Sequence, residues 1–131
     1  MMNEIVSGHI RKSLSNIKSA LILYENEIYD GAVNASYYAV FHGVSALLAI
    51  KNMEFKTHKT LISKYNDEYI RTGLIGNTSF KALTALFNRR HESEYNATVV
   101  IGPESAQAAM QQAQAAVDEI MEYCKQHGIT E

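Results

Sequence analysis

Apolar side chains recur along most of this chain at intervals of three and four residues, the spacing that gathers them on one side of an α-helix. Ile10, Leu14, Ile17, Leu21, Tyr24 and Ile28 outline a first helix over about 3–27, with Asp30-Gly31 as its break. A second, over 31–52, carries Tyr37, Phe41, Val44 and Leu48 on one stripe. Its neighbouring stripe, Asn34, Tyr38, His42 and Ser45, is unusually polar. Thr57 is placed to cap a short basic third helix, its hydroxyl accepting from free first-turn amides, and Arg71-Thr72-Gly73 closes that helix. Thr78 or Ser79 caps a fourth, whose stripe begins with Phe80, Leu83 and Phe87 and continues at the same spacing into Arg90 and Glu94. Polar groups therefore replace hydrophobes on an inward face. The β-branched stretch 97–101 predicts a loop, and Pro103 opens a last helix over 103–126, where its missing N–H costs nothing. Ala106, Met110, Ala113, Val117 and Ile120 form the buried stripe of that helix, small enough for close helix approach.

These elements predict an all-α fold: one antiparallel up-and-down bundle of about five helices, a single domain over 1–131. A hydrophobic fraction of 47% and a charged fraction of 20% exclude disorder and fibrous repeats. One cysteine, Cys124, forms no internal disulfide, and no Cys/His spacing resembles a zinc site, so a reducing compartment, the cytoplasm, is expected. The pattern calls for no metal and no cofactor. No apolar run approaches the ~20 residues of a membrane span, and the first ten residues lack the basic and apolar regions of a signal peptide. The expected protein is neither secreted nor membrane-spanning.

Charge changes the picture more than composition does. The net charge is −2, yet 51–90 holds eight of the twelve basic residues against only Glu54, Asp67 and Glu68, a segment charge of +5 that leaves −7 on the rest. Such separation orients an anionic partner toward the middle helices, with Lys51, Lys56, Lys59, Lys64, Arg71 and Lys81 as its candidates. A solvated helix face without a partner accounts for the same lysines taken singly.

Asn34, Tyr38 and His42 follow one another at i, i+4 and i+8, and they meet Arg90 if the second and fourth helices pack together. A polar groove between those helices is one reading; a buried, hydrogen-bonded structural His42 is the other. Arg90 and Glu94 form either part of a site or an i,i+4 ion pair worth ~0.5 kcal/mol when exposed. Tyr95 serves as a binding group or as a packed aromatic with its hydroxyl at the boundary. His58, beside Lys56 and Lys59, suits phosphate contact or local packing.

The run Tyr37-Tyr38-Ala39-Val40-Phe41-His42, then Ala46-Leu47-Leu48, Lys56-Thr57-His58-Lys59 and Leu86-Phe87-Asn88-Arg89-Arg90 through Glu94-Tyr95, resembles a prokaryotic branch of the HEPN-domain family in order and spacing. The likeness spans about 34–95 and extends more loosely to both flanking helices. It implies an antiparallel helical bundle, frequent homodimers and, in many members, metal-independent ribonuclease activity or a toxin role beside a nucleotidyltransferase-like antitoxin. In catalytic members an arginine is followed, after four to six intervening residues, by a histidine that works with it on the RNA phosphate. Arginine holds a phosphate bidentately, and histidine, with a pKa of ~6.5, moves protons near neutrality. Arg90 matches the arginine, but the window for the histidine reads Tyr95, Asn96, Ala97. Tyrosine, with a pKa of ~10, is a weak base at neutral pH, so Tyr95 is expected to bind or position. His91 points ~100° away from Arg90 around the helix and is expected to face a different environment.

Three functions follow. The leading expectation is an RNA-associated protein, a toxin–antitoxin or defence component, binding through the basic middle segment and Arg90. The second is a non-catalytic dimeric module that recognises a nucleotide or a partner protein through the same groove. The third is ribonuclease chemistry with His42 as base.

Overall fold

A computed structural model describes residues 3–129 as α1 (Glu4–Glu25), α2 (Tyr29–Ile50), α3 (His58–Tyr65), a π-helical turn (Asn66–Ile70), α4 (Thr78–Tyr95) and α5 (Pro103–Gln126). Among the described residues there is no strand, and the five-helix all-α bundle expected from the periodicity is the observed fold.

α2 is the centre. Ala32, Val33, Tyr37, Val40, Val44, Leu47 and Leu48 are all buried, enclosed by α1, α4 and α5. By length and composition alone its 22 residues would suffice to cross a bilayer, although Asp30, Asn34 and His42 interrupt the apolar run. Within the bundle 72% of its most apolar window is buried, which makes it a core helix here. Gly43 lets two neighbours converge on it: a Cβ there would stand 2.9 Å from Ile120 Cδ1 of α5 and 3.4 Å from Ser13 Oγ of α1. Ser13 donates to the Ala39 carbonyl at 2.7 Å, satisfying a hydroxyl that has no access to water.

α1 and α2 are antiparallel and joined by Asn26, Glu27 and Ile28, with Glu27 in the left-handed region at φ 62°. The break thus precedes Asp30-Gly31, which instead open α2; the Asp30 carboxylate accepts from the Gly31 amide at 2.9 Å and places negative charge at the helix N-terminus. The face that α1 buries follows the expected stripe at Ile10, with Leu14, Ile17 and Tyr24 partly buried against the core, and departs from it at its end. Val6, Ile10, Ser13 and Ala20 are buried, whereas Leu21 is 50% and Ile28 47% exposed. Ser13 and Ala20 allow close packing on α2 beside Val6 and Ile10, while Leu21 and Ile28 are left at the rim.

Thr57 caps α3 as expected, accepting from the Thr60 amide at 3.3 Å. The helix then widens: the Arg71 amide reaches the Asn66 carbonyl, five residues back, at 2.9 Å. Widening the turn leaves the Glu68 carbonyl free, and Lys51 Nζ and Thr72 Oγ1 donate to it at 2.8 and 2.9 Å. Neither Thr78 nor Ser79 caps α4 with its side chain. Asn77 holds the cap position, and the free Ser79 amide donates to Glu119 Oε1 of α5 at 2.8 Å, while the Ser79 hydroxyl is bonded to that of Tyr65 at 2.7 Å. Pro103 begins α5, as its position foretold, and Ala106, Ala109, Ala113 and Ala116 are fully buried along it.

Candidate functional site

α2 and α4 pack antiparallel, and their pairing brings Arg90 to Asn34: Nε donates to Asn34 Oδ1 at 3.0 Å across 56 residues of sequence. The guanidinium carbon lies 5.3 Å from the ring centroids of both Tyr37 and Tyr38, within reach of their π faces. Nη2 pairs with Glu94 Oε2 at 3.2 Å, and the Arg90 side chain is only 15% exposed. Four side chains therefore hold one arginine, and Nη1 has no hydrogen-bond partner among the described residues.

Arg90 borders two openings. One, of about 250 Å³, is lined by Asp30, Gly31, Asn34, Ser93 and Glu94. The larger, of about 540 Å³, has Thr57, His58, Lys59 and Thr60 from the start of α3 on one wall and Phe87, His91 and Tyr95 on the other. His58 Nδ1 is 2.5 Å from the Tyr37 hydroxyl. Burial and then the nearby Arg90 charge lower the His58 pKa, with Glu94 acting in the opposite direction. Burial keeps the Tyr37 phenol protonated well above its usual range.

Of the residues singled out from sequence, the fold thus brings together Arg90, Asn34, Tyr38, Glu94, His58, Lys59 and Tyr95. His91, expected elsewhere, lines the same cleft, its ring 4.5 Å from that of Tyr95 and 6.2 Å from that of Phe87. A cleft wide enough to receive both walls admits residues on adjacent helical positions. Tyr95 is not a packed aromatic, being 73% exposed. Lys56 is exposed beside the cleft, but Lys51 is committed to Glu68 and Arg71 to Asp67, at 3.3 and 3.1 Å. Tyr37, read from sequence only as a core position, is the group that touches both Arg90 and His58; its placement among hydrophobes hid the hydroxyl.

His42 stands apart. It faces α1, with Nδ1 3.0 Å from His9 Nδ1, one ring donating to the other. Burial first, then the His9 and Lys12 charges, depress His42 to about 4. His9 is also lowered, by burial, although the Glu54 carboxylate, 4.0 Å from Nε2, opposes this. The pairing sets the sign of a pH dependence. Unfolded, these rings take up protons as pH falls through ~6.5; folded, they stay neutral to lower pH, so stability is complete above that value and declines toward pH ~4. Thermal melting is expected several degrees lower at pH 5 than at pH 7.5, with the difference reduced in His42→Gln. A melting temperature equal at both pH values would contradict this.

The site lies inside a region of recognised sequence likeness. Residues 6–127 match the HEPN domain. The chain belongs to the HEPN-domain family. A Methanocaldococcus jannaschii protein designated a candidate toxin is 30% identical over 125 residues, covering 95% of this chain and 92% of its own length. The UPF0332 protein of Thermotoga maritima is 30% identical over 122 residues, 91% of this chain and 92% of that one. A second Methanocaldococcus jannaschii candidate toxin is 32% identical over 98 residues, 75% of this chain and 67% of its own length. For this HEPN protein the likeness extends well beyond the segment 34–95 and takes in α1 and α5.

Proposed function

We propose that this HEPN protein is a toxin-like protein that engages RNA in the cleft between α3 and α4 and cleaves it without a metal. The observation that carries the reading is Arg90: a largely shielded guanidinium, oriented by Asn34, Tyr37, Tyr38 and Glu94, that lines an open cleft. A planar fork so fixed suits a phosphodiester, holding two oxygens and offsetting the charge that develops on them. Lys59 on the opposite wall adds positive charge, and the exposed rings of His91 and Tyr95 offer a surface on which a base can stack. The names of its relatives support the toxin role.

The same reading includes a homodimer, working in the cytoplasm beside a nucleotidyltransferase-like antitoxin protein. Support for the dimer is the apolar rim of α1, where Leu21 and Ile22 are 50% and 58% exposed; for a reducing compartment it is Cys124, a free thiol, and for the antitoxin the toxin names of the relatives.

The test is incubation of the purified protein with labelled RNAs in chelator at low and moderate salt, beside Arg90→Ala. Cleavage and salt-sensitive retention that both disappear with Arg90→Ala are the expected result, since phosphate contacts weaken as salt rises. With neither cleavage nor retention in the unaltered protein, the cleft is that of a module binding a nucleotide or a partner protein.

A further inference from the structure

The sequence leaves Arg90 without a histidine at the usual interval on its own helix, yet the cleft holds two histidines. They differ in how they are fixed. His91 is exposed and, among the described residues, meets the rings of Phe87 and Tyr95 and has no hydrogen-bond partner to orient it. His58 is partly buried at the start of α3, tilted against Phe41 and Phe87 with ring centroids 5.0 and 5.8 Å away, and joined through Nδ1 to the Tyr37 hydroxyl. A base held by a third group, within the field of an arginine, is the arrangement of a working acid–base residue.

We propose that His58, contributed by a different helix from Arg90, is the catalytic proton carrier of this cleft, and that Tyr37 is its positioning residue. The inference rests on the RNA reading given above. With Nδ1–H donating to the Tyr37 oxygen, Nε2 is left with its lone pair for the substrate. Nε2 takes the proton of a ribose 2′-hydroxyl as that oxygen forms its bond to phosphorus. The bond from phosphorus to the 5′-oxygen breaks, the 5′-oxygen takes a proton from water, and the imidazolium returns its proton to the hydroxide left behind. The products are a 2′,3′-cyclic phosphate and a 5′-hydroxyl. Arg90 holds the non-bridging oxygens throughout, and the phenol oxygen of Tyr37 stabilises the transient imidazolium.

The cost of removing such a group is ~10²-fold or more in rate. His58→Asn is expected to lose cleavage by that factor, while a uniformly 2′-deoxy analogue of the cleaved RNA, which cannot react, is retained as by the unaltered protein. Tyr37→Phe, checked by circular dichroism for an unchanged fold, is expected to slow cleavage and to move the acid limb of the pH–rate profile to lower pH, because the imidazolium loses its acceptor. The other charged or titratable groups facing His58 are Arg90, Glu94, His91 and Tyr95 of α4, Lys59 of α3 and Tyr38 of α2, and none of them is altered by either substitution. Full cleavage by His58→Asn with Arg90→Ala inactive would overturn the assignment and leave the ribonuclease reading standing. His91→Asn as the only inactive histidine variant would move the role to α4. An unaltered protein that retains the analogue but cleaves no RNA would remove both the ribonuclease reading and the role of His58.

Discussion

Arg90→Lys is expected to lower RNA cleavage by about 10²-fold, although the net charge is unchanged. Lysine supplies a point charge, not a planar fork, and the present arginine uses its planarity three ways at once. Nε reaches Asn34, Nη2 reaches Glu94, and the flat face lies over Tyr37 and Tyr38. An ammonium makes one of these contacts at a time and points at the cleft only while it forgoes the others. Removing one preorganised donor from a charge-developing transition state costs about 2.7–4 kcal/mol, which is the source of the expected factor. Retention of RNA should fall much less, because the positive charge survives, so a comparison of cleavage rate with filter binding separates geometry from electrostatics. Equal cleavage by the two proteins would mean that charge alone suffices and that the orienting contacts serve stability.

Leu47→Ala is expected to destabilise the fold by about 3 kcal/mol, lowering the melting temperature by on the order of 10 °C. Leu47 is fully buried in α2, and its carbonyl accepts from the hydroxyl of Tyr69, itself fully buried, so the backbone there has little room to collapse into the space left. The site is spared: Leu47 lies thirteen residues along α2 from Asn34, about 20 Å at 1.5 Å per residue. Leu21→Ala provides the contrast. Half of that side chain already meets water, and its loss should change stability by no more than about 0.5 kcal/mol. Calorimetry on the two variants checks both figures, and similar losses from both would mean that α1 is covered in solution, as a dimer would cover it.

The periodicity of the chain determined the number and type of its elements, because a helix is a local structure whose signals lie within a few residues. Thr57 caps α3 through its own hydroxyl, Pro103 starts α5, and the apolar rows of α2 and α5 are buried apart from Phe41 and Met110, which are partly so. The chemical candidates Arg90, Asn34, Tyr38 and Glu94 were legible for a similar reason. Polar residues at the spacing of an apolar stripe are costly unless they meet one another, and here they do. What depended on contacts between distant segments was decided only by the tertiary structure. The α4 N-terminus is satisfied by Glu119, forty residues away, so Thr78 and Ser79 gave a misleading local signal. The stripe of α1 placed Ile10 correctly, but the exposure of Leu21 and Ile28, and the burial of Ser13 against Ala39 and Gly43, depended on how closely α1 approaches α2. His42 and His58 look alike in sequence, each beside aromatic or basic residues. The packing of α1 against α2 gave His42 to His9, and the packing of α3 against α2 and α4 gave His58 to Tyr37 and the cleft of Arg90. Side-chain direction around a helix is fixed by its sequence, but the partner it meets is fixed by which helix lies there.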